Sequence, residues 1–254
     1  KADLVMQTHF LEREVFLAIW IAVFGAWALY LLGKITLPHD SPSANISVGR
    51  LMLALLVLSF TVYLIPGLWG APLKIISGFP PSITYSESPN GVGGSGNSSN
   101  SSEKLPDGAK IAVHGIMAFT DYDKGIAYAK SVNKPVLLDF TGFGCENCRK
   151  MEDFVWSDSE IISIIKNEVI LISLYIDEKE ELPENEKYTS KETGRKINSK
   201  GNKWSDFQIT RYKANAQPYY IILDSDGKDL NSPVGYTPDK AEYIAWLKSG
   251  ITKF

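Results

Sequence analysis

The chain of 254 residues is long enough for one large domain or two modest ones, and the 44 % of it that is hydrophobic is unevenly spread. Lys and Arg number 26 against 29 Asp and Glu, a formal net charge of −3, and neither half carries a dense basic stripe. That balance argues against nucleic acid as a partner.

The chain opens at Lys1 on a mixed polar segment, without the basic stretch and short apolar core of a cleavable signal peptide. A start without Met is expected of a fragment. Residues 15–32 (VFLAIWIAVFGAWALYLL) and 51–69 (LMLALLVLSFTVYLIPGLW) carry no charge, and each is long enough to cross a bilayer as a helix. Glu12, Arg13, Glu14 and Lys34 bracket the first and Arg50 and Lys74 the second, while Trp20, Trp27, Tyr30, Tyr63 and Trp69 supply aromatics. The alternative is a pair of buried helices in a soluble core, but helices apolar all round are rare in so small a domain. Pro66 and Gly67 predict a kink or an end in the second helix, and Pro38 and Pro42 punctuate the connecting loop. Lys34 and Arg50 favour a cytoplasmic loop, which sends both ends of the hairpin to the extracytoplasmic side.

These features predict a membrane segment over residues 1–81, a tether over 82–104 and a redox domain over 105–254 with a polar insertion at 177–203. The tether is rich in Ser, Gly and Asn (SITYSESPNGVGGSGNSSNSS), a flexible composition with a root-mean-square reach of roughly 25 Å. Asn97 and Asn100 open glycosylation sequons, read here as tether.

In the soluble half, residues 111–119 alternate as an edge strand does. Thr120 or Asp121 caps a helix to Val132, with Asn133 at its end. Pro135 to Phe140 is a continuous apolar run, predicting a strand buried on both faces. A helix-like stretch covers 149–156, and Ser157 to Ser159 offers a cap for a helix over 160–166. A second buried strand follows over 169–176. The polar stretch 177–203 is longer than most connections and reads as a solvated loop or a partner-facing one. A helix over 204–212, a strand over 219–223, a turn at Asp224 to Gly227, a returning strand to Val234 and a helix over 239–248 complete the order β-α-β-α-β-α-β-β-α.

Cys145-Glu146-Asn147-Cys148 sits at the junction of the first buried strand with its helix. A helix N-terminus favours a thiolate, making Cys145 the candidate nucleophile. Cys148, one turn on and within bonding reach, is the candidate resolving thiol. Zinc would need two more ligands; His9, His39 and His114 are far apart in sequence and no third cysteine exists. A purely structural disulfide is the other alternative, although so short a loop makes a poor staple. Neither a metal nor a cofactor beyond the Cys145–Cys148 disulfide is expected.

Asp139-Phe140, Cys145-x-x-Cys148 and a proline opening a hairpin at Pro218 together resemble the thioredoxin pattern. Residues 13–20 (REVFLAIW) and 62–74 (VYLIPGLWGAPLK) resemble the last two membrane helices of DsbD-type thiol:disulfide interchange proteins, so nearly the whole chain resembles the C-terminal part of that family. The resemblance implies a thioredoxin-like α/β fold, a central mixed sheet flanked by helices, preceded by a two-helix transmembrane hairpin. It implies that Cys145 attacks and Cys148 resolves, that Asp139 is a buried acid assisting proton transfer, and that Pro218 is a cis-proline beside the disulfide. Gly144 stands where an aromatic usually precedes the first cysteine, and Glu146-Asn147 replaces Gly-Pro. Glu152 matches an acid of the DsbD domain, and Glu146 and Glu152 are expected to raise the Cys145 pKa by like charge.

The activity implied is thiol:disulfide reduction. Electrons would come from an upstream membrane domain and pass to disulfide-containing partners outside the cytoplasm, cytochrome c maturation factors among them, in the periplasm of a bacterial inner membrane. A tethered oxidase or isomerase shares the same cysteines, and a docking module with a structural disulfide is the alternative of a different class.

Overall fold

The computed structural model describes residues 2–38, 40, 45–71, 73–81, 85–86 and 105–254. Apart from Tyr85 and Ser86, the expected tether over 82–104 and its sequons lie outside the described residues, as do His39 and Pro42. The chain forms two compact units, one of His9–Ile76 with Pro80–Asn100, the other of Lys1–Thr8, Ser77–Phe79 and Ser101–Phe254. A short helix α1 (Ala2–Met6) belongs to the second unit.

The first unit is a helical pair, α2 (Arg13–Leu31) and α3 (Val48–Leu64). Small side chains let the backbones approach: Ala28 and Ala54 are fully buried and pack with Leu31 and Val57. Nearer the other end, Leu17, Leu64 and Leu73 form a second apolar cluster. Ser47 caps α3 by accepting from the Arg50 amide at 3.3 Å. Pro66 finishes α3 rather than kinking it: the chain tightens into a 3-10 turn over Ile65–Trp69 and stops at Gly70, which is left-handed. Arg13, at the start of α2, donates to the carbonyls of Pro81 and Ala71 at 2.8 and 3.1 Å.

The second unit holds a five-stranded mixed sheet built from β1 (Ala109–Ile111), β2 (Met117–Phe119), β3 (Val136–Thr141), β4 (Ile170–Tyr175) and β7 (Tyr219–Leu223), ordered β1-β2-β4-β3-β7. β4 runs parallel to β2 and β3, while β7 runs antiparallel to β3. Every residue of β3 is buried, because both faces of the sheet are covered. Leu137, Leu171 and Ile222 point to one face and pack with Trp156, Tyr220, Tyr243 and Leu247 beneath α6 (Ser159–Asn167) and α8 (Lys240–Ile251). Leu138, Phe140, Ile172 and Ile221 point to the other, beneath α4 (Tyr122–Val132) and α7 (Lys200–Tyr212). The Asp121 carboxylate caps α4 by accepting from Lys124 N, and Asn133 closes it in the left-handed conformation.

Three expectations are corrected. Residues 111–119 are not one strand, because His114 (φ 57°) and Gly115 (φ 66°) turn the chain back and make β1 and β2 an antiparallel hairpin. The stretch 177–203 is not a structureless loop: β5 (Tyr188–Thr189) and β6 (Lys196–Ile197) pair, Leu182 and Ile197 are buried, and Ser199 caps α7, which starts four residues before Trp204. After Gly227 the returning arm is irregular. Asn231 Oδ1 replaces a backbone carbonyl as the acceptor for Ile222 N, and isolated bridges at Asp229 and Val234 hold the rest.

Candidate redox site

β3 delivers the chain to a turn over residues 142–144, and Cys145 becomes the N-cap of α5 (Glu146–Lys150). Cys145 and Cys148 are disulfide-bonded with Cα atoms 5.3 Å apart. The Cys145 sulfur accepts from Cys148 N at 3.1 Å, so it occupies the place of a capping oxygen, where the helix end favours negative charge. Cys145 retains 6 % exposure against 1 % for Cys148, so the first cysteine is the more exposed residue of the two.

The turn is pinned by Asp177, which follows β4. Its two carboxylate oxygens accept from Phe143 N and Gly144 N, each at 2.9 Å. Phe143 stacks on Tyr175 with ring centroids 4.3 Å apart. Gly142 is required here, because a Cβ would press on the Asp177 carboxylate and the Gln217 side chain. Asp177 was missed from sequence, where it only opens a polar stretch; its role shows only in the register of the folded sheet, where Thr141 pairs with Tyr175 and the next residues of both strands meet.

Asp139 is 2 % exposed and sits between Ser173 on β4 and Tyr220 on β7. One carboxylate oxygen accepts from Ser173 Oγ at 3.1 Å, and the other, Oδ1, has no hydrogen-bond partner. Burial, with the nearby charge of Glu152, raises its pKa from 3.8 to about 8. Pro218 opens β7 after a cis Gln217–Pro218 peptide, and Tyr219 pairs with Phe140, so the proline stands at the end of the sheet where β3 enters the turn.

Glu146 and Glu152 differ from expectation. Neither is a bare charge. Glu146 is on the surface and pairs with Lys150 at 2.9 Å, whereas Glu152 is buried and pairs with Arg149 at 2.8 Å. Arg149 also donates to Thr141 Oγ1 at 3.2 Å. Burial raises the Glu152 pKa to about 7 against the pull of Arg149. Glu152 lies in a π-helical turn over Met151–Val155, a widening often found at functional sites, and its carbonyl meets the His114 ring at 2.8 Å.

Residues 77–79 lie along the same helix. Ser77 Oγ donates to Asp153 Oδ2 at 2.5 Å. Gly78 (φ +76°) runs so close to Glu146 that an added Cβ would stand 2.6 Å from its Cγ. Among the described residues no group of three or more His, Cys, Asp or Glu side chains is placed to hold a metal ion.

A family model described as a thioredoxin-like domain matches residues 122–251. Among solved structures, the oxidoreductase DsbH is 23 % identical with a TM-score of 0.41, over 60 % of this chain and 95 % of that one. The reduced C-terminal domain of Neisseria meningitidis DsbD is 15 % identical with a TM-score of 0.36, over 49 % and 89 %. A thioredoxin from Thermus thermophilus is 18 % identical with a TM-score of 0.36, over 50 % and 81 %. No curated protein matches the chain. With a cysteine pair at the strand-to-helix turn of a five-stranded mixed sheet, and a model match over half its length, the chain belongs to the thioredoxin-like domain family.

Proposed function

We propose that the protein is a membrane-tethered thiol:disulfide reductase, taking electrons from a membrane donor domain and passing them to extracytoplasmic proteins that carry disulfides. The observation that carries this reading is the Cys145–Cys148 disulfide at a helix N-cap, at the end of the strand that buries Asp139. Two further helical stretches support the tether. Arg13–Leu31 and Val48–Trp69 are long and apolar enough to cross a membrane, and only 17 % and 28 % of their apolar windows are buried, unlike core helices of a soluble domain.

In the reduced state the Cys145 thiolate attacks one sulfur of a partner disulfide. A Cys145–partner S–S bond forms, the partner S–S bond breaks, and one partner thiolate leaves. Cys148 then gives its proton to Asp139, and the Cys148 thiolate attacks Cys145 Sγ. The intramolecular disulfide re-forms and the second partner thiolate departs, so two electrons pass from the cysteine pair to the partner. With a pKa of about 8, the ionised fraction of Asp139 near neutral pH is the form that accepts this proton, and it grows as pH rises. A dithiol donor reverses the sequence to reload the pair.

The test is the equilibrium potential of the full chain in detergent micelles, poised in dithiothreitol or glutathione buffers and read by alkylation mass shift. A value between roughly −270 and −200 mV supports the reductase, whereas roughly −180 to −120 mV makes the protein an oxidase or isomerase.

A further inference from the structure

The buried charges beneath the cysteine pair do not simply add. Glu152 and Arg149 sit three residues apart on the helix that begins at Cys145, with side chains 10 % and 7 % exposed and 2.8 Å between charged atoms. Arg149 follows Cys148 directly. Its Nη2 is shared between Glu152 and Thr141 Oγ1, and Thr141 lies two residues beyond Asp139 on the same strand. Nε and Nη1 of Arg149 are buried without hydrogen-bond partners, so this cation is held in place mainly by Glu152. A buried cation costs several kcal/mol unless compensated, and a buried carboxylate likewise; each supplies what the other lacks.

We propose that Arg149 is a positioning residue for the redox reaction: it holds Glu152 in place and offsets part of the charge that Glu152 brings to the cysteine helix, so that the pair tunes how tightly the thiols hold their protons. The like charge expected of Glu152 from sequence is thus opposed by its ion-pair partner. The inference rests on the reading of Cys145 and Cys148 as an exchanging pair. Both charges are felt at Asp139, Glu152 raising and Arg149 lowering its proton affinity. The other groups facing the pair are Tyr175 from β4, Tyr220 from β7, Asp153 on the same helix, and the His114 ring against the Glu152 carbonyl. Burial works against the Arg149 charge, and Glu152, Tyr175, Asp139 and Tyr220 outweigh it. Glu146 is already matched by Lys150 at the surface.

The pair makes a prediction of opposite signs. The full chain, reduced in detergent micelles, is alkylated from pH 5 to pH 10 and the rate of the first-reacting cysteine is read by mass. Arg149→Met leaves a carboxylate unopposed and moves the midpoint to higher pH by about half a unit or more; Glu152→Gln leaves a cation unopposed and moves it to lower pH by a similar amount. The double variant returns toward the parent profile, between the two single variants. Shifts of the same sign, no shift in Glu152→Gln, or a double variant that fails to return overturns the proposal. If Arg149→Met does not fold, Glu152→Gln against the double variant decides it alone. Alkylation reads proton affinity without any partner. Failure of the reductase reading is therefore seen separately, as a parent dithiol that does not reduce a disulfide-linked peptide.

Discussion

Replacing Asp139 by Asn removes a carboxyl whose pKa rises from 3.8 to about 8 because it is buried and faces Glu152. A group with a raised folded-state pKa contributes its full stability below the unfolded value and loses it as pH climbs through the folded one. The parent is therefore expected to weaken by about 6 kcal/mol in all as pH rises from well below 3.8 to well above 8, at about 1.4 kcal/mol for each pH unit of displacement. Of this, about 4 kcal/mol falls between pH 5 and pH 9. Asn keeps the shape and can still accept from Ser173, so its variant lacks that slope while carrying a constant offset from its own unpaired amide. The assay is urea unfolding of the oxidised full chain in detergent, followed by near-ultraviolet circular dichroism at pH 5, 6, 7, 8 and 9. With a slope of about 2 kcal/mol/M, the Asn variant gains about 2 M in midpoint relative to the parent across that range. A difference between the two proteins that stays constant from pH 5 to pH 9 refutes the assignment of a buried, hard-to-ionise Asp139.

Other outcomes test neighbouring parts of the site. Cys148→Ser leaves Cys145 able to attack but removes the internal thiol, so a covalent adduct with a disulfide peptide accumulates on non-reducing gels, while Cys145→Ser forms none. Asp177→Ala strips the acceptor from Phe143 N and Gly144 N; about 2 kcal/mol of stability is lost and peptide reduction slows, read by urea midpoint and fluorescence turnover. Tyr243→Phe leaves the buried Trp156 Nε1, now bonded to Tyr243 Oη at 3.1 Å, without an acceptor and costs about 1–3 kcal/mol in the same unfolding assay. Glu146→Gln, at a surface pair with Lys150, moves the alkylation midpoint by less than about 0.3 pH unit.

The parts of the fold legible in the sequence are those whose signals are local. Asp121 and Asn133 mark both ends of α4, Asp158 and Asp239 cap α6 and α8, and the apolar runs of β3 and β4 require cover on both faces. The position of the cysteine turn follows from their order, while the thioredoxin-like class rests on the resemblance carried by Asp139-Phe140, Cys145-x-x-Cys148 and Pro218. What was not legible depends on partners distant in sequence. The hydrogen bonds that the Phe143 and Gly144 amides donate to Asp177 exist only because β3 and β4 are in register, 34 residues apart for Phe143. The Arg149–Glu152 ion pair has ordinary helical spacing, yet nothing local says that both side chains are buried. Residues 177–203 read as solvated or partner-facing because their Glu and Lys outnumber the few apolar anchors, and Leu182 and Ile197 become informative only when seen buried. In the arm after β7, the substitution of Asn231 for a backbone carbonyl gives no pattern to read.

That irregular arm governs how the domain behaves in company. It occupies the outer flank of β7 through Leu230 and Val234, and its interrupted pairing presents no regular ladder for another chain to extend. On the opposite flank β1 offers only three residues, with Lys110 at its centre. Copies of a strand-rich domain meet one another in solution, and open sheet edges would let those encounters zip into aggregates. With one flank broken and the other short and charged, collisions between copies end without templated growth.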